Sequence, residues 1–569
     1  MASRPQDLIY AVDERPPGPQ LALLGLQHAV MISVYLVLIV IIMRAARVTD
    51  AVALSAVGMG LVAIALASAL QALRLGPVGS GYLAPPVYSA IYLGPSVLAA
   101  ETGGLPAVLA MTVFAGLVEI LLAGFLGRLR RIFTHTVSGF VVSIVGFDLG
   151  LVGLKHALAV EYYGTPGYAG RLAAAGLTLA VCIGLSVWAR GTLKMMCSLA
   201  GILVGSLAAL AFGLVPTGAL ALVGTAPLIR LPDPSYIGFR FDPALLPSFL
   251  TAGIAATLRT IGVITSCQKI NDADWKRPEM GSIRGGVLAD GIGCALGSLI
   301  GATGMNTAPS LVGLSSATGA TSRYIAFACA AILLAIAFVP KFAALFLALP
   351  LEVAGAALVF TGSFMISGGI QIMVSRNIDT RTTYVIGIAF LVGVAHQVFA
   401  GYFTELPAVL RSFTGSTLSV SVLAAVGLTL LFRIGIGRRQ VLPLAGSSDP
   451  EAAFSDFLRR QGKSWNVSPD VVERCIASLG EALHHMRAAD LIHRPLKIEA
   501  NFDQVDLVVQ FDYEGTALSL PNVALSRRNM VEEESFAYGL AYFLTGVFAD
   551  RVECFARGGQ ATLRLTYAA

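Results

Sequence analysis

The chain has 569 residues, of which 56% are hydrophobic and only 13% charged, and its formal net charge is +5. Soluble proteins carry about 25% charged residues. The composition therefore excludes an ordinary soluble protein and predicts a polytopic membrane protein embedded in a lipid bilayer, with no nucleic-acid partner. The seven cysteines stand in no CxxC or CxxH spacing, so we expect neither a disulfide framework, nor a metal site, nor a cofactor.

Residues 1–20, "MASRPQDLIYAVDERPPGPQ", are polar. They lack the basic region followed by an apolar region that is typical of a secretory signal. We expect a short cytoplasmic N-terminal tail.

Residues 21–440 are predicted to form an all-α transmembrane domain. Together with two weaker stretches, the apolar runs give about fourteen segments of roughly 20 residues each. Basic residues concentrate on alternate loops, for example at 128–131 and 269–284. The side rich in Lys and Arg is the cytoplasmic one, which places both termini on the cytoplasmic side of the cell membrane. The apolar runs begin near Leu21, Ala51, Ala107, Thr136, Leu172, Ser198, Leu245, Gly285, Tyr324, Ala343, Thr383 and Ser416.

The two weaker stretches are broken by Gly and Pro: "GPVGSGYLAPPVYSAIYLGP" (76–95) and "GATGMNTAPSLVGLSSATG" (301–319). They are segments three and ten, so they lie seven segments apart. Because each span reverses the direction of the chain and seven is odd, the two halves would have opposite orientations in the membrane, as in 7+7 inverted repeats. A matched pair of broken segments predicts a transporter site near the midplane, where half-helix N-termini meet substrate. Ser89, Ala90 and Tyr92 are candidate contacts in the first stretch. The alternative is that both are packing segments without a ligand.

Arg259 lies inside the apolar run "AGIAATLRTIGVITS". A cation in a membrane helix is expensive and usually functional. One hypothesis is an anion-binding site between the half-helices. A second is a structural ion pair with Asp290 on the neighbouring span. A third is that Arg259 lies near the membrane surface and extends to it.

Residues 441–569 are charged and of soluble type. "SPDVVERCIASLGEALHHMRAA" predicts a helix, and "LKIEANFDQVDLVVQFDYEG" alternates as two strands do. The C-terminal end is predicted to be a helix followed by a hairpin. We expect a cytoplasmic α+β domain that follows a linker, "LAGSSDPEAAF".

Several motifs of the membrane region resemble the nucleobase–ascorbate transporter family, also called the nucleobase:cation symporter-2 or xanthine/uracil permease family. The resemblance implies fourteen spans in two inverted repeats, a core domain that moves against a gate domain, and usually a homodimer. It makes His28 a candidate substrate residue, although a packed, hydrogen-bonded histidine is the alternative, and it places Asp290 at a polar position of the ninth span. The motifs are "LGLQHAVM", "RLRRIFTHTVSGFVVSIVGFDL", "RGGVLADGIG", "VGLSSATGATSRYI" and "ALPLEVAGAALVFTGSFMISGGIQIM".

The chain departs from this family at the site. In "LRTIGV", Arg259 stands where the family has a glutamate that binds the nucleobase, and Val263 stands at the following acidic position. In "SLVG", Ser310 and Leu311 replace the polar pair of the tenth-span signature. A gap in the alignment would instead give Asn306 the role of the signature asparagine. The carboxylate that would link proton and substrate in this family, the eighth-span glutamate, is therefore missing from this chain.

The C-terminal domain has a second resemblance, to the histidine-kinase-like ATPase fold. "VERCIASLGEALHHM" resembles its N-box helix, with Glu481 in place but His485 where the fold has asparagine. Tyr513 and Ala517 stand where its Gly-rich turn has Asp and Gly. This degenerate pattern predicts a regulatory or dimerising module rather than an ATPase.

The sequence therefore predicts a secondary transporter of the elevator type, not an enzyme. Its substrate would be a purine- or pyrimidine-like small molecule of the xanthine, uracil or urate class, moved with a coupling proton or sodium ion. One alternative is a small-anion transporter or exchanger on the same fold, and another is a membrane sensor that signals through the C-terminal domain. Glu352, which follows Pro350 at a span start, is expected to lie at the membrane interface.

Overall fold

The computed structural model describes most of the chain and divides it into two units, Met1–Thr429 and Leu430–Ala569. Each unit is described by itself below. The described residues are 4–6, 8–129, 135–190, 193, 196–215, 217–273, 275, 278–374, 378–407, 410, 413–414, 416–432, 438–444, 449–465, 467–488, 490–502, 506–516, 549, 551–557 and 560–568.

The first unit is almost entirely helical. Its elements are α1 (Gly18–Val34), α2 (Leu36–Ala45), α3 (Asp50–Ala72), β1 (Pro86–Tyr88), α4 (Ala90–Leu129), α5 (His135–Ala157), α6 (Tyr168–Trp188), α7 (Cys197–Ala211), α8 (Thr217–Thr225), α9 (Leu246–Asn271), α10 (Met280–Leu299), β2 (Met305–Thr307), α11 (Pro309–Thr318), α12 (Tyr324–Ala337), α13 (Pro340–Leu347), α14 (Leu351–Met373), α15 (Thr380–Val398), α16 (Ala400–Glu405) and α17 (Thr417–Phe432).

Each of the two Gly- and Pro-rich stretches contains a short strand followed by a helix. Strand β1 pairs with β2 antiparallel, with Val87 opposite Asn306. Helix α4 begins two residues after β1, and α11 begins two residues after β2. The pairing satisfies backbone groups that would otherwise stay without partners in the middle of a bilayer. It also brings the starts of the two helices close to each other.

Helix α4 is interrupted at Gly104, whose φ of 68° and ψ of −170° are not helical. This left-handed φ favours glycine. The element therefore consists of a first helix that ends before Gly104 and a longer helix after it. The first is the half-helix that the broken segment predicted.

Seven helical stretches among the described residues are long and apolar enough to cross a membrane, or eight if the bent pair α12–α13 counts as one span. The two axes of this pair differ by 84°. Helices α7 and α17 are apolar but shorter. The protein is thus a multi-pass membrane protein, and the number of fourteen spans stays a prediction.

The helices of the first unit pack in two groups. Helices α1, α3, α9 and α10 contact the paired strands, and α4 and α12 pack on these helices. In the second group, α14 packs with α5, α6 and α7. Helices α5 and α14 approach closely because glycines face each other. An added Cβ at Gly139, Gly146 or Gly153 would lie within 2.9 Å of a backbone oxygen of α14. Small residues at such contacts are typical of membrane helix pairs.

The segment that precedes α1 is bound to the loop after α11. The backbone N–H groups of Ile9 and Tyr10 donate to the carbonyl of Gly319 at 2.8 and 3.1 Å. Thr321 N–H donates to the carbonyl of Tyr10 at 2.9 Å, and Arg323 pairs with Asp13 at 3.0 Å. Described residues of the expected tail are thus held by backbone hydrogen bonds.

The second unit is an antiparallel sheet with two helices. Its elements are β3 (Arg438–Pro443), α18 (Pro450–Trp465), α19 (Pro469–Ala488), β4 (Ile492–Phe502), β5 (Asp506–Gly515), β6 (Arg551–Arg557) and β7 (Gln560–Ala568), and the strand order is β3-β4-β5-β7-β6. Alternate residues of β5 and β7 are buried, so one sheet face forms the core. These residues are Leu507, Val509, Phe511, Tyr513, Ala561, Leu563, Leu565 and Tyr567.

The second unit begins earlier than the expected boundary at residue 441. Strand β3 pairs with β4 from Arg438 onward, so it belongs to the sheet. Leu444 and Phe454, at the ends of the stretch expected to be a linker, are both buried in the core. The basic residues at the start of β3 obscured the hydrophobic alternation by which a strand is recognised in a sequence. The helix expected near residues 536–548 lies outside the described residues.

Candidate functional site

The first half-helix begins next to the second broken segment. Ser89 N–H donates to the carbonyl of Gly304 at 3.2 Å, and Ser89 Oγ accepts from the N–H of Ile91 at 3.2 Å. The ring of Tyr92 packs directly on Gly304, where an added Cβ would lie 2.2 Å from the ring. Ser89 and Tyr92 are buried and Ala90 is partly buried. The glycine lets the two broken segments touch.

The second half-helix begins at Pro309. Ser310 is partly buried, and its Oγ lies 2.8 Å from the hydroxyl of Tyr35 in the link between α1 and α2. A helix N-terminus carries about half a positive charge. Two such ends therefore lie within one small region of the first unit.

Arg259 points toward these helix starts from α9. Its side chain is buried, with 3% of the residue exposed. Its Nη1 donates to Ser89 Oγ at 3.0 Å. Its Nε is buried and has no hydrogen-bond partner among the described residues. A guanidinium has five N–H donors. Most of those of Arg259 therefore have no protein acceptor among the described residues.

Arg259 forms no ion pair with Asp290 in the described part of the chain, although Asp290 is a nearby charge. Asp290 is held by other donors. Its Oδ2 accepts from Thr260 Oγ1 at 2.6 Å and from Asn306 Nδ2. Its Oδ1 accepts from the N–H of Thr307 at 3.1 Å. Both oxygens of this buried carboxylate therefore have donors.

The remaining candidates take different positions. Asn306 Nδ2 also donates to Thr260 Oγ1 at 2.9 Å, and its Oδ1 is buried without a partner among the described residues. Leu311 is fully buried and Val263 belongs to an apolar cluster with Ile264 and Cys267. The structure thus groups Asn306 with Asp290, whereas Val263 packs among apolar side chains.

His28 connects α1 to α11. Its Nδ1 lies 2.9 Å from the carbonyl of Leu24, and its Nε2 lies 3.2 Å from Ser315 Oγ. The ring is fully buried. Because both nitrogens have partners, the geometry favours the packed, hydrogen-bonded alternative for this histidine.

Two side chains at the site were missed at the level of sequence. Glu119 is fully buried in α4, and its Oε1 accepts from Tyr92 Oη at 2.6 Å. Tyr35 contacts Ser310 as described above. An acidic residue inside the apolar run "FAGLVEILLAG" is itself a signal of function in a membrane segment, and it could have identified Glu119.

The arrangement favours an anion. Two helix N-termini and an arginine with free donors supply positive charge in a water-poor region. No group of three or more His, Cys, Asp or Glu side chains among the described residues could hold a metal ion.

A second, partly buried cation has a different environment. Arg171 of α6 forms an ion pair with Glu352 of α14, and its guanidinium lies 3.8 Å from the centre of the Tyr162 ring. Glu352 is only 2% exposed. Helix α6 packs over Glu352 and supplies its partner, and the expectation that Glu352 lies at the depth of the membrane interface stays a prediction.

Comparisons with known proteins agree with this fold. The family model Xan_ur_permease, described as "Permease family", matches residues 19–401. Xanthine permease XanQ of Escherichia coli (strain K12) is 28% identical over 461 residues, which are 77% of this chain and 96% of that protein. Uric acid permease PucJ of Bacillus subtilis (strain 168) is 26% identical over 422 residues, or 72% and 92%.

A solved structure supports the same fold at lower similarity. The murine Solute Carrier 26 family member A9 (Slc26a9) anion transporter in the inward-facing state matches with a TM-score of 0.51 at 12% identity. The match covers 79% of this chain and 72% of that chain. The family model covers more than half of the chain, from α1 to α16. The chain therefore belongs to this Permease family and is a multi-pass membrane transporter of the xanthine/uracil permease type rather than an enzyme.

Proposed function

We propose that this protein is a secondary active transporter for a purine- or pyrimidine-like solute, which it binds as an anion at Arg259. Relatives named xanthine and uric acid permeases support the substrate class. The solute would lie between the starts of α4 and α11 and accept hydrogen bonds from the guanidinium. Ser89, Ala90 and Ser310 would line the same site, and Tyr92 and Asn306 would support it from behind.

The observation that carries this proposal is the environment of Arg259. The residue is 3% exposed, its one described hydrogen bond is to a neutral serine, and its Nε has no described partner. A buried guanidinium whose N–H donors lack acceptors is unfavourable, so a protein that keeps one has a use for it. A planar, anionic purine offers acceptors at the spacing of a guanidinium fork.

The mechanism that we propose is of the elevator type. The helix group that holds the paired strands would move as a core domain against the α5–α14 group as a gate domain. The protein would work as a homodimer with a proton or sodium ion as the coupling ion. The two short strands would let the site move as one body, because they join both half-helices.

A second candidate is a transporter or exchanger for small inorganic or carboxylate anions on the same fold. The observation that favours it is that Arg259 replaces the family's nucleobase-binding glutamate. In this case the site would not discriminate by a base ring. Uptake of bicarbonate would then exceed that of any nucleobase.

We further propose that residues 1–20 and 441–569 face the cytoplasm, and that the latter form a regulatory or dimerising domain. The distribution of basic residues supports this orientation. Cysteines introduced in loops 128–131 and 269–284 should resist membrane-impermeant maleimide in intact cells. Ready labelling from outside would contradict the topology.

The central experiment uses purified protein in proteoliposomes. Labelled xanthine, urate, uracil and bicarbonate are compared in exchange against the same unlabelled solute. We expect exchange of xanthine or urate and its loss in Arg259→Ala. Exchange of bicarbonate alone would favour the second candidate, and exchange of none of the four would contradict both.

A further inference from the structure

We propose that Glu119 carries the coupling proton of transport, on the oxygen that faces Asp290. This inference rests on the proposed function and identifies the proton site that replaces the missing eighth-span glutamate. Glu119 was not among the candidate site residues of the sequence analysis.

The geometry of the two acids requires a proton between them. The carboxyl groups of Glu119 and Asp290 lie within hydrogen-bonding range of each other. Two carboxylates can only accept hydrogen bonds, so such a contact needs one of them to be protonated. Both residues are buried, and two like charges in contact there are strongly unfavourable.

The hydrogen bonds indicate which acid holds the proton. Both oxygens of Asp290 already accept from donors, as an ionised carboxylate does. Glu119 Oε1 accepts from Tyr92, but its Oε2 is buried and meets no donor among the described residues. A hydroxyl at Oε2 that donates to Asp290 satisfies both groups. The proton is therefore assigned to Glu119 Oε2.

The surroundings of Glu119 contain few other ionisable groups. Tyr92 faces it from the first half of α4, and Asp290 and Cys294 face it from α10. Arg259 of α9 interacts electrostatically with Asp290. The Cβ of Glu119 packs within 2.9 Å of where a Cβ on Gly291 would lie, which fixes the side chain beside Asp290.

Protonation of Glu119 links the proton to the anion through charge. With Glu119 neutral, Arg259 and Asp290 balance each other, and an anion meets no net negative charge. With Glu119 ionised, the three side chains carry a net negative charge that opposes the anion. Proton binding and anion binding therefore strengthen each other, and the linkage is reciprocal. One proton enters Glu119 from the outer solution with the anion, and both leave to the inner solution.

The test combines spectroscopy and transport on the full chain. In infrared spectra we expect a carbonyl band of a protonated carboxylic acid that shifts in D₂O and is lost in Glu119→Gln. In proteoliposomes with an acidic exterior, we expect wild type to accumulate urate about tenfold per pH unit, as one proton per monoanion requires. Glu119→Gln should keep exchange of urate and lose this accumulation.

The matched control is Glu101→Gln, because Glu101 is an exposed acid in the same element α4. This variant should keep both the band and the accumulation. Accumulation that persists in Glu119→Gln, or that follows a sodium gradient at equal pH, would overturn the proposal. If Glu119→Gln does not fold, the infrared spectrum of wild type decides. Absence of the carbonyl band of a protonated carboxylic acid at neutral pH would overturn the assignment of the proton to Glu119. Failure of all exchange in wild type would instead contradict the proposed function, while the band still tests Glu119.

Discussion

Two arginines of the first unit, the partly buried Arg171 and the buried Arg259, have opposite environments. Arg171 pairs with Glu352 and lies over the ring of Tyr162. Arg259 donates to one neutral hydroxyl, and its Nε has no described partner. The paired arginine connects α6 to α14, whereas the open one lies beside two helix starts. Burial of a cation does not by itself distinguish a structural role from a binding role. The partners of the cation make that distinction.

The largest effect is expected at the paired arginine. Glu352→Ala leaves Arg171 without its counterion, and breaking a buried ion pair lowers the free energy of unfolding by about 3–5 kcal/mol. We expect the low end, because Arg171 keeps the Tyr162 contact and its side chain is 20% exposed. The melting temperature in detergent measures this.

A double variant sharpens the same prediction. Arg171→Met with Glu352→Leu should recover much of the stability, since no charge is left unpaired. Glu161→Ala, which breaks an exposed pair with Lys155, serves as the control and should melt as wild type does. Equal melting temperatures for Glu352→Ala and wild type would remove the structural half of the comparison.

The next effect concerns the open arginine. Arg259→Ala should weaken urate or xanthine binding by roughly 10- to 100-fold, the value of a hydrogen bond to a charged group. Its melting temperature should fall little, because Asp290 keeps its donors from Thr260, Asn306 and Thr307. Titration calorimetry and melting are measured on the same preparation, with the exposed Arg240→Ala as the control.

A double-mutant cycle with Asp290→Ala tests the alternative of a structural tie. If Arg259 and Asp290 stabilise each other, the two single variants should melt early and the double variant should recover. We expect little coupling in stability and lost affinity in each variant that lacks Arg259. Strong coupling with affinity intact in the double variant would contradict the anion site.

A smaller effect is expected at His28. His28→Ala removes the contact to Ser315 and leaves that hydroxyl with the carbonyl of Leu311, to which it donates at 2.9 Å. The free energy of unfolding should fall by about 1–2 kcal/mol. Substrate affinity should change less than threefold, because both ring nitrogens serve packing. A loss of affinity as large as that in Arg259→Ala would make His28 a ligand instead.

The smallest effect is expected from the second unit. A chain that ends after Phe432 keeps every element of the first unit, so initial uptake should stay within about twofold of wild type once corrected for expression. The purified full chain should show no magnesium-dependent ATP hydrolysis, because Tyr513 is buried in the core where the ATPase fold has an aspartate. Measurable hydrolysis would contradict the prediction of a regulatory or dimerising module.

The sequence predicted the two broken segments, where local signals were strong. Gly and Pro in a membrane segment mark broken helices, and the structure has short paired strands followed by helices at both stretches. Arg259 was recognised because a lone cation in an apolar run is unusual. The exposed fraction of Arg259 and the identity of its hydrogen-bond partners could be read only from the three-dimensional structure.

Other parts depended on contacts between distant residues. The partner of Glu352 is Arg171, which is 181 positions away, and no spacing rule connects them. Glu119 and Asp290 meet only because Gly291 lets α4 and α10 approach closely. The start of the second unit was predicted too late, since β3 is recognised as a strand only through its pairing with β4.

The most direct measurement is a structure of the purified protein with bound urate. We predict density for the solute between the starts of α4 and α11, with a urate acceptor within about 3.2 Å of the Arg259 guanidinium. Urate bound elsewhere, with the guanidinium of Arg259 turned to Asp290 as an ion pair, would contradict the account.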